Sequence, residues 1–167
     1  MSHHWAYSDP VDFCQLIRAL KREIPGSTIT RPPMVPGVTV TVGVTALMVH
    51  WRGVSDDEAS TVARHVRNEL ARLTVEHVLG GPGKTPRRRF PGDPHLDAVA
   101  REVPRATVFV HQDYPGVLFA IVPVDYEANF VAVVHYSADT DTPEDVAKRT
   151  RSMLINMVIG HYLDGRK

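Results

Sequence analysis

The stretch "GGPGKTPRRRFPGDP", residues 80–94, contains residue types that bind phosphate in other proteins. A P-loop holds phosphates with a glycine-rich turn and a lysine, between a strand and the N-terminus of a helix. Here Val78 occupies the first glycine position of that pattern, a predicted helix precedes the loop, and Pro86 follows the lysine and threonine. The sequence therefore predicts a helix stop at Gly80, followed by an exposed loop without a nucleotide.

Positive charge is concentrated in this loop. Its cations meet no acidic residue before Asp93, and an aromatic residue follows them directly; the set is Lys84, Arg87, Arg88, Arg89 and Phe90. The aromatic ring could insert into a partner pocket or stack on a base. We expect a protein or assembly contact here, because one short patch offers few phosphate contacts. A nucleic-acid- or protein-binding module using residues 84–90 is the alternative, and a solvated loop anchored by Phe90 is the simplest structural explanation.

Residues suited to catalysis or metal binding form no recognised motif. None of the nine histidines belongs to an HExxH or HxH pattern, and Cys14 is the only cysteine, which excludes an intramolecular disulfide. His111 and Asp113 lie two apart at a strand end, where they could act as an acid/base pair. Turn formation by Asp113 ahead of Pro115 is the favoured explanation. We expect no catalytic, cofactor-binding or metal-binding residue, and a small enzyme is the least favoured function.

Composition places the chain among ordinary globular proteins. Its 167 residues fit one domain, 43% of them are hydrophobic, and the formal net charge is zero. A neutral chain has no global attraction for nucleic acid or anionic membranes. No apolar run approaches the roughly 18 residues of a membrane span, and the first residues lack the pattern of a secretory signal. These features predict a soluble protein that is made in the cytoplasm.

Three main helices are predicted from apolar periodicity and capping residues. The first covers residues 10–24, with Asp9 as a cap and Pro10 at its first position. The second begins at the capping box of Ser55 and Glu58 and continues to about residue 79. The third begins at Thr142 and Pro143 and ends near residue 163, and a short helical turn is expected near residues 96–102.

The remaining segments predict about four strands and two proline-rich connectors. Valine and threonine alternate at the start of residues 38–51, and three further strand patterns occupy residues 106–111, 116–125 and 129–137. Short turns between the last three favour an antiparallel meander. Residues 25–37 and 80–95 are the connectors. The whole predicts a single α+β layered domain, residues 1–167, with an antiparallel or mixed sheet packed by three main helices.

The order of elements in roughly residues 8–75 resembles a known family. A helix in "SDPVDFCQLIRALKREIPG", a proline-rich connector, a valine/threonine strand and the capped helix "SDDEASTVARHVRNELARL" are similar to the layout of siphophage tail terminator or tail-completion proteins. The resemblance implies a non-enzymatic virion structural protein: a homo-oligomeric ring, usually a hexamer, that caps the phage tail tube and joins it to the head-proximal connector. It also implies a place in the virion tail after synthesis in the host cytoplasm; otherwise the protein is expected to be cytoplasmic.

Overall fold

The computed structural model describes residues 10–51, 55–82, 90–125 and 128–166. Contacts between residues cluster in two compact units. The first consists of the described residues up to Thr74 together with those from Gly160 onward, and the second covers Val75–Ile159. Each unit contains a three-stranded antiparallel sheet, whose strands follow a helix and are followed by another. No helix of the described chain is both long and apolar enough to cross a membrane.

The first unit begins with helix α1 (Pro10–Glu23), followed by strands β1 (Thr28–Thr30), β2 (Gly37–Val42) and β3 (Thr45–His50), paired in that order. Helix α2 (Asp56–Leu79) comes next along the chain. Ser55 and Glu58 form the predicted capping box, since the backbone N–H of Ser55 donates to the Glu58 carboxylate at 3.1 Å and the Ser55 hydroxyl faces the Glu58 N–H. The predicted second helix is therefore confirmed.

The buried side chains of the first unit come from one face of β2 and one stripe of each helix. Every second residue of β2 is fully buried, as expected for a strand with one face on a core. The buried apolar side chains of the two helices in this unit are Phe13, Leu16, Ala19, Leu20, Ala59, Ala63, Val66 and Leu70. Thr39 and Thr41 lie between the buried valines of β2, so the valine/threonine alternation of the sequence corresponds to the two faces of this sheet.

The last residues of the chain complete the first unit. A π-helical turn (Ile159–Leu163) ends beside the loop that follows α1, where the Gly26 N–H donates to the Leu163 carbonyl at 2.7 Å. Arg67 of α2 donates to the Glu23 carbonyl and forms an ion pair with Asp164 at 2.7 Å. These contacts join the end of α1, the middle of α2 and the chain's end.

The second unit contains helix α3 (Pro94–Glu102), strands β4 (Thr107–Val110), β5 (Val117–Pro123) and β6 (Asn129–His135), and helix α4 (Pro143–Val158). The strands form an antiparallel meander, which confirms the sequence prediction. Both helices contact each other, α3 contacts β4 and α4 contacts β6. The buried face of the sheet carries Val108, Leu118, Ala120, Val122, Ala132 and Val134.

The mixed α and antiparallel β architecture agrees with the sequence, but the predicted number of elements was wrong. The described chain has four α-helices and six strands in two sheets, instead of three main helices and about four strands in one. The strand predicted at residues 38–51 is a hairpin, because Gly43 adopts φ 57° in a two-residue turn between Val42 and Thr45. Strand β1 lies inside the predicted connector 25–37, and its three residues are too few to give a periodic pattern.

Two helix boundaries also differ from the prediction. Helix α3 begins at Pro94, because the Asp93 carboxylate accepts from the N–H groups of His95 and Leu96, both at 3.0 Å. An N-cap therefore starts this helix two residues before the expected apolar pattern. The last predicted helix is α-helical only to Val158, after which the π-helical turn continues to Leu163.

Gly26 provides a test of the close packing at the end of the chain. A Cβ atom at this position would overlap the Tyr162 carbonyl group, so any larger residue must displace the backbone. We expect Gly26→Ala to lower the free energy of unfolding by about 1–3 kcal/mol, the usual cost of overpacking. Chemical denaturation measures this, with Gly92→Ala as control because a Cβ there meets nothing within 4 Å. Equal stability of the two variants would contradict the packing.

Arg151 provides a test in the second unit. Its guanidinium group, with the side chain only 12% exposed, donates to the carbonyls of Glu102 at 2.7 Å and Gly80 at 3.2 Å. Burial lowers the pKa of this arginine from its usual value. Arg151→Met leaves both carbonyls without their donor, so we expect a loss of about 1.5–3 kcal/mol in unfolding free energy.

The matched control for Arg151 is Arg149→Met. Arg149 forms an exposed ion pair with Asp141 at 3.2 Å, and such pairs contribute about 0–1 kcal/mol. If Arg149→Met costs as much unfolding free energy as Arg151→Met, the two carbonyl hydrogen bonds of Arg151 do not stabilise the protein more than an exposed ion pair.

Candidate interaction surface

The two faces of the second sheet differ in what covers them. Residues alternate between faces along each strand, and the face that includes Leu118 and Ala132 is buried. The opposite face, called the open face below, is made of Thr107, Phe109, Val117, Phe119, Ile121, Pro123, Asn129, Val131, Val133 and His135. None of these residues is buried, and none is an aspartate, glutamate, lysine or arginine. The open face is therefore uncharged and in contact with solvent.

Apolar side chains at the centre of the open face adjoin one another. Phe109, Phe119 and Val133 are register partners on the three neighbouring strands. The two phenylalanine rings are nearly parallel, at 7°, with centroids 5.2 Å apart. Phe109 and Val133 each remain 38% exposed. A continuous apolar patch of this kind usually marks a contact with another molecule, because single scattered apolar residues are the norm elsewhere.

Strand β6 forms one edge of this sheet and its backbone is paired on one side only. The Tyr136 N–H donates to the Gly116 carbonyl at 2.9 Å, and the Val124 N–H to the Ala128 carbonyl at 3.0 Å. Since paired residues alternate in an antiparallel ladder, the even-numbered residues of β6 bond to β5. The N–H and C=O groups of Asn129, Val131, Val133 and His135 point outward, and no hydrogen bond joins them to another described residue.

The basic loop predicted as a contact site lies mostly outside the described residues. This applies to Lys84, Arg87, Arg88 and Arg89, so the role assigned to them remains a prediction. Phe90 is described and is half-buried in the turn before α3. Its carbonyl accepts from the Asp93 N–H at 3.0 Å, and its N–H points toward the Asp97 carboxylate at 3.4 Å. Phe90 thus belongs to the turn that precedes the α3 cap.

The structure brings His111 and Asp113 together, but in an exposed turn. Their side chains are 3.8 Å apart, and the Asp113 N–H points at the His111 Nδ1 at 3.2 Å. The Tyr114 N–H also donates to the His111 carbonyl at 3.1 Å. The His111 Nδ1 therefore accepts a hydrogen bond within the turn. The geometry agrees with the turn explanation and gives no support to an acid/base pair.

Sequence reasoning missed a buried polar cluster around His95. This histidine is only 6% exposed, and its Nε2 lies 2.8 Å from the Asp141 carbonyl, to which it must donate because a carbonyl only accepts. Its ring packs on Tyr136 with centroids 4.9 Å apart. Burial, together with the nearby Asp93 carboxylate, raises the pKa of Tyr136. The Asp93–Pro94 cap was the available signal, since it places residue 95 in a first helical turn.

A groove in the described chain is small and has a lining of mixed charge. This groove between α3 and α4 has a volume of about 240 Å³, below the roughly 300–1,000 Å³ of most ligand pockets. Its charged lining residues carry both signs: Arg101, Glu102, Glu144 and Lys148. Within the same described ranges, no three histidine, cysteine, aspartate or glutamate side chains are grouped as metal ligands.

Comparison with known proteins adds no assignment for this surface. No protein-family model matches the chain, and neither does any curated protein or solved structure. The function of the open face must therefore be argued from its own chemistry and geometry.

The carboxylate of Asp141 provides a test of the loop before α4. It accepts from the Ser137 N–H at 2.8 Å, which, with a smaller contribution from Arg149, lowers the pKa of Asp141. A carboxylate whose pKa is lowered in the folded state stabilises the protein above its unfolded-state pKa of about 4. This stabilisation is lost as the pH falls through the pKa of the folded state. We therefore expect the unfolding free energy to fall less steeply below pH 4 in Asp141→Asn than in the unsubstituted protein. Denaturation curves at several pH values measure this, and parallel pH profiles would contradict the assignment.

Proposed function

We propose that the protein is a structural assembly subunit that associates with further copies of itself through the second sheet. The observation that carries this proposal is the open face, where apolar side chains from three strands adjoin without a charged residue. Transfer of such a patch from water to a protein contact is favourable, at about 25 cal/mol per Å² of apolar area. A flat, uncharged face of this kind fits another protein surface better than a small polar substrate.

The resemblance of residues 8–75 to siphophage tail terminators refines the proposal. On that basis the assembly is a ring, usually of six copies, which caps the tail tube and joins it to the head-proximal connector. The tube and connector proteins are then the further partners, and the virion tail is the location. A closed ring requires that each copy present complementary surfaces to its neighbours. The open face supplies one surface, and the loop with Lys84, Arg87, Arg88, Arg89 and Phe90 is the second predicted contact.

Light scattering over a range of protein concentrations tests the proposal. We expect a discrete multiple of the 18.6 kDa chain mass, with six copies favouring the ring. Phe109→Asp introduces a charge at the centre of the open face, so it should raise the dissociation constant by about thirtyfold, the effect of a 2 kcal/mol hot spot. Circular dichroism checks that the variant remains folded.

The control for this experiment is Met48→Asp. Met48 is an exposed apolar residue of strand β3 in the first unit, and the substitution introduces the same charge. It should leave the mass unchanged. A monomer at all concentrations, with and without purified tail tubes, would refute the assembly function. An oligomer that Phe109→Asp leaves intact would remove the open face from the contact.

A further inference from the structure

Strand β6 lacks the features that normally prevent edge strands from pairing with another chain. Proteins protect such edges with proline, lysine, bulges, short strands or a covering element. Strand β6 is seven residues long, pairs with β5 in an unbroken register, and reads "NFVAVVH", without proline or a charged residue. Its four outward-facing residues are all exposed. The free edge is thus regular, carried by exposed residues, and about 24 Å long at 3.4 Å per residue.

The residues of β6 whose backbone groups point outward have a symmetric pattern of polar and apolar side chains. Asn129 and His135 stand at the ends, and Val131 and Val133 stand between them. If a second β6 approaches antiparallel with Ala132 at the two-fold axis, Val131 faces Val133 and Asn129 faces His135 of the second copy. Like polarity then meets like polarity at every position, without opposed charges. A register shifted by two residues in one direction pairs valine with asparagine, and a shift in the other direction pairs valine with histidine.

We propose that β6 pairs edge to edge, in antiparallel orientation, with β6 of a second copy of this chain, so that two three-stranded sheets form one six-stranded sheet. The proposal rests on the proposed function only in requiring self-association; it does not require a ring. The uncharged edge favours a second copy over an acidic or basic peptide, since neither would gain an ion pair along the strand. A two-fold contact also makes any larger assembly an even number of copies.

The expected strength of this contact follows from its size. Stable protein interfaces bury about 1,200–2,000 Å² in total, and a pair of seven-residue strand edges covers less. The pair should therefore be reversible, with a dissociation constant on the order of micromolar unless other surfaces add to it. Measurements must span concentrations below and above this value.

The variant Val133→Pro tests the edge without removing an apolar side chain. The Val133 N–H points away from β5, so proline removes only an outward donor and leaves the β5 ladder intact. We expect the dissociation constant to rise at least about tenfold, the loss of paired backbone hydrogen bonds. Met48→Pro is the matched control, because the Trp51 N–H bond to Pro36 places the Met48 N–H on the free edge of β3. It should leave association unchanged, and equal effects of both prolines would overturn the proposal.

Hydrogen exchange of the unsubstituted protein provides a test that needs no variant. The amides of Val131 and Val133 should exchange freely in the monomer and about fivefold more slowly at a chain concentration of about ten times the dissociation constant, where about one fifth of the chains remain monomeric. The amides of Ala132 and Val134, which bond to β5, should be protected at every concentration and serve as the internal control. Free exchange at Val131 and Val133 in the associated protein would overturn the pairing, as would a strictly monomeric protein.

Disulfide trapping tests the register. In a Cys14→Ser background, Val131→Cys and Val133→Cys chains are mixed and oxidised. Directly opposed residues have Cα atoms about 5.5 Å apart, within disulfide range, whereas diagonal ones are about 7–8 Å apart. In an equimolar mixture, random pairing already makes about half of the disulfides mixed, so the mixed disulfide should exceed about half of the total. A mixed share at or below the random one would overturn the register centred on Ala132.

The two proposals can fail separately. If Phe109→Asp dissociates the oligomer and Val133→Pro does not, the open face assembles by a route other than β6, and the edge pairing is refuted. If Val133→Pro alone dissociates it, the edge pairing stands and the open face is not the assembly contact.

Discussion

The unbroken antiparallel ladder between β5 and β6 is the interaction on which the second unit depends. Seven consecutive register pairs determine which side chains face the helices and which face solvent. A slip of one residue would place Val131 and Val133 inside and Ala132 and Val134 outside, which would expose two side chains that are now buried. The same ladder also determines which backbone groups of β6 remain unpaired, so the core, the open face and the free edge follow from one register.

Several polar groups of the described chain that could take part in chemistry have structural partners instead. His111 accepts a backbone N–H in a turn, and Asp93 caps α3. His95, which the sequence did not reveal, holds the Asp141 carbonyl. Two features of the second unit have no structural partner among the described residues: the uncharged apolar face of the sheet and the unpaired backbone edge of β6. Exposed apolar patches and unpaired strand edges are features that commonly contact another protein chain.

Much of the fold was predictable because its local signals agree with the tertiary structure. The capping box of Ser55 and Glu58 and the apolar stripe behind it predicted α2 to its last residue. The short turns around Gly116 and Asn129 predicted the meander. The prediction failed where a signal was too short or was hidden inside a longer pattern. Three residues of β1 give no periodicity, and the Gly43 turn divides a run that is apolar on both sides.

The candidate surface was much less predictable than the fold. The sequence directed attention to the charged loop of residues 84–90, because charge clusters are visible in one dimension. The open face draws Phe109, Phe119 and Val133 from three strands, and these residues become neighbours only through the register. Each strand alone has an apolar residue on both faces, so alternation could not show which face the helices cover.

The sequence by itself determined the classes of structure that this chain forms: helices where caps and apolar stripes coincide, and antiparallel strands where turns are short. Those features depend on residues close together in the chain. Only the tertiary structure decided that the strands divide into two sheets, that α3 and α4 cover one face of the second sheet, and that β6 ends at a free edge. These outcomes depend on contacts between residues distant in sequence, whose free energies no local pattern encodes.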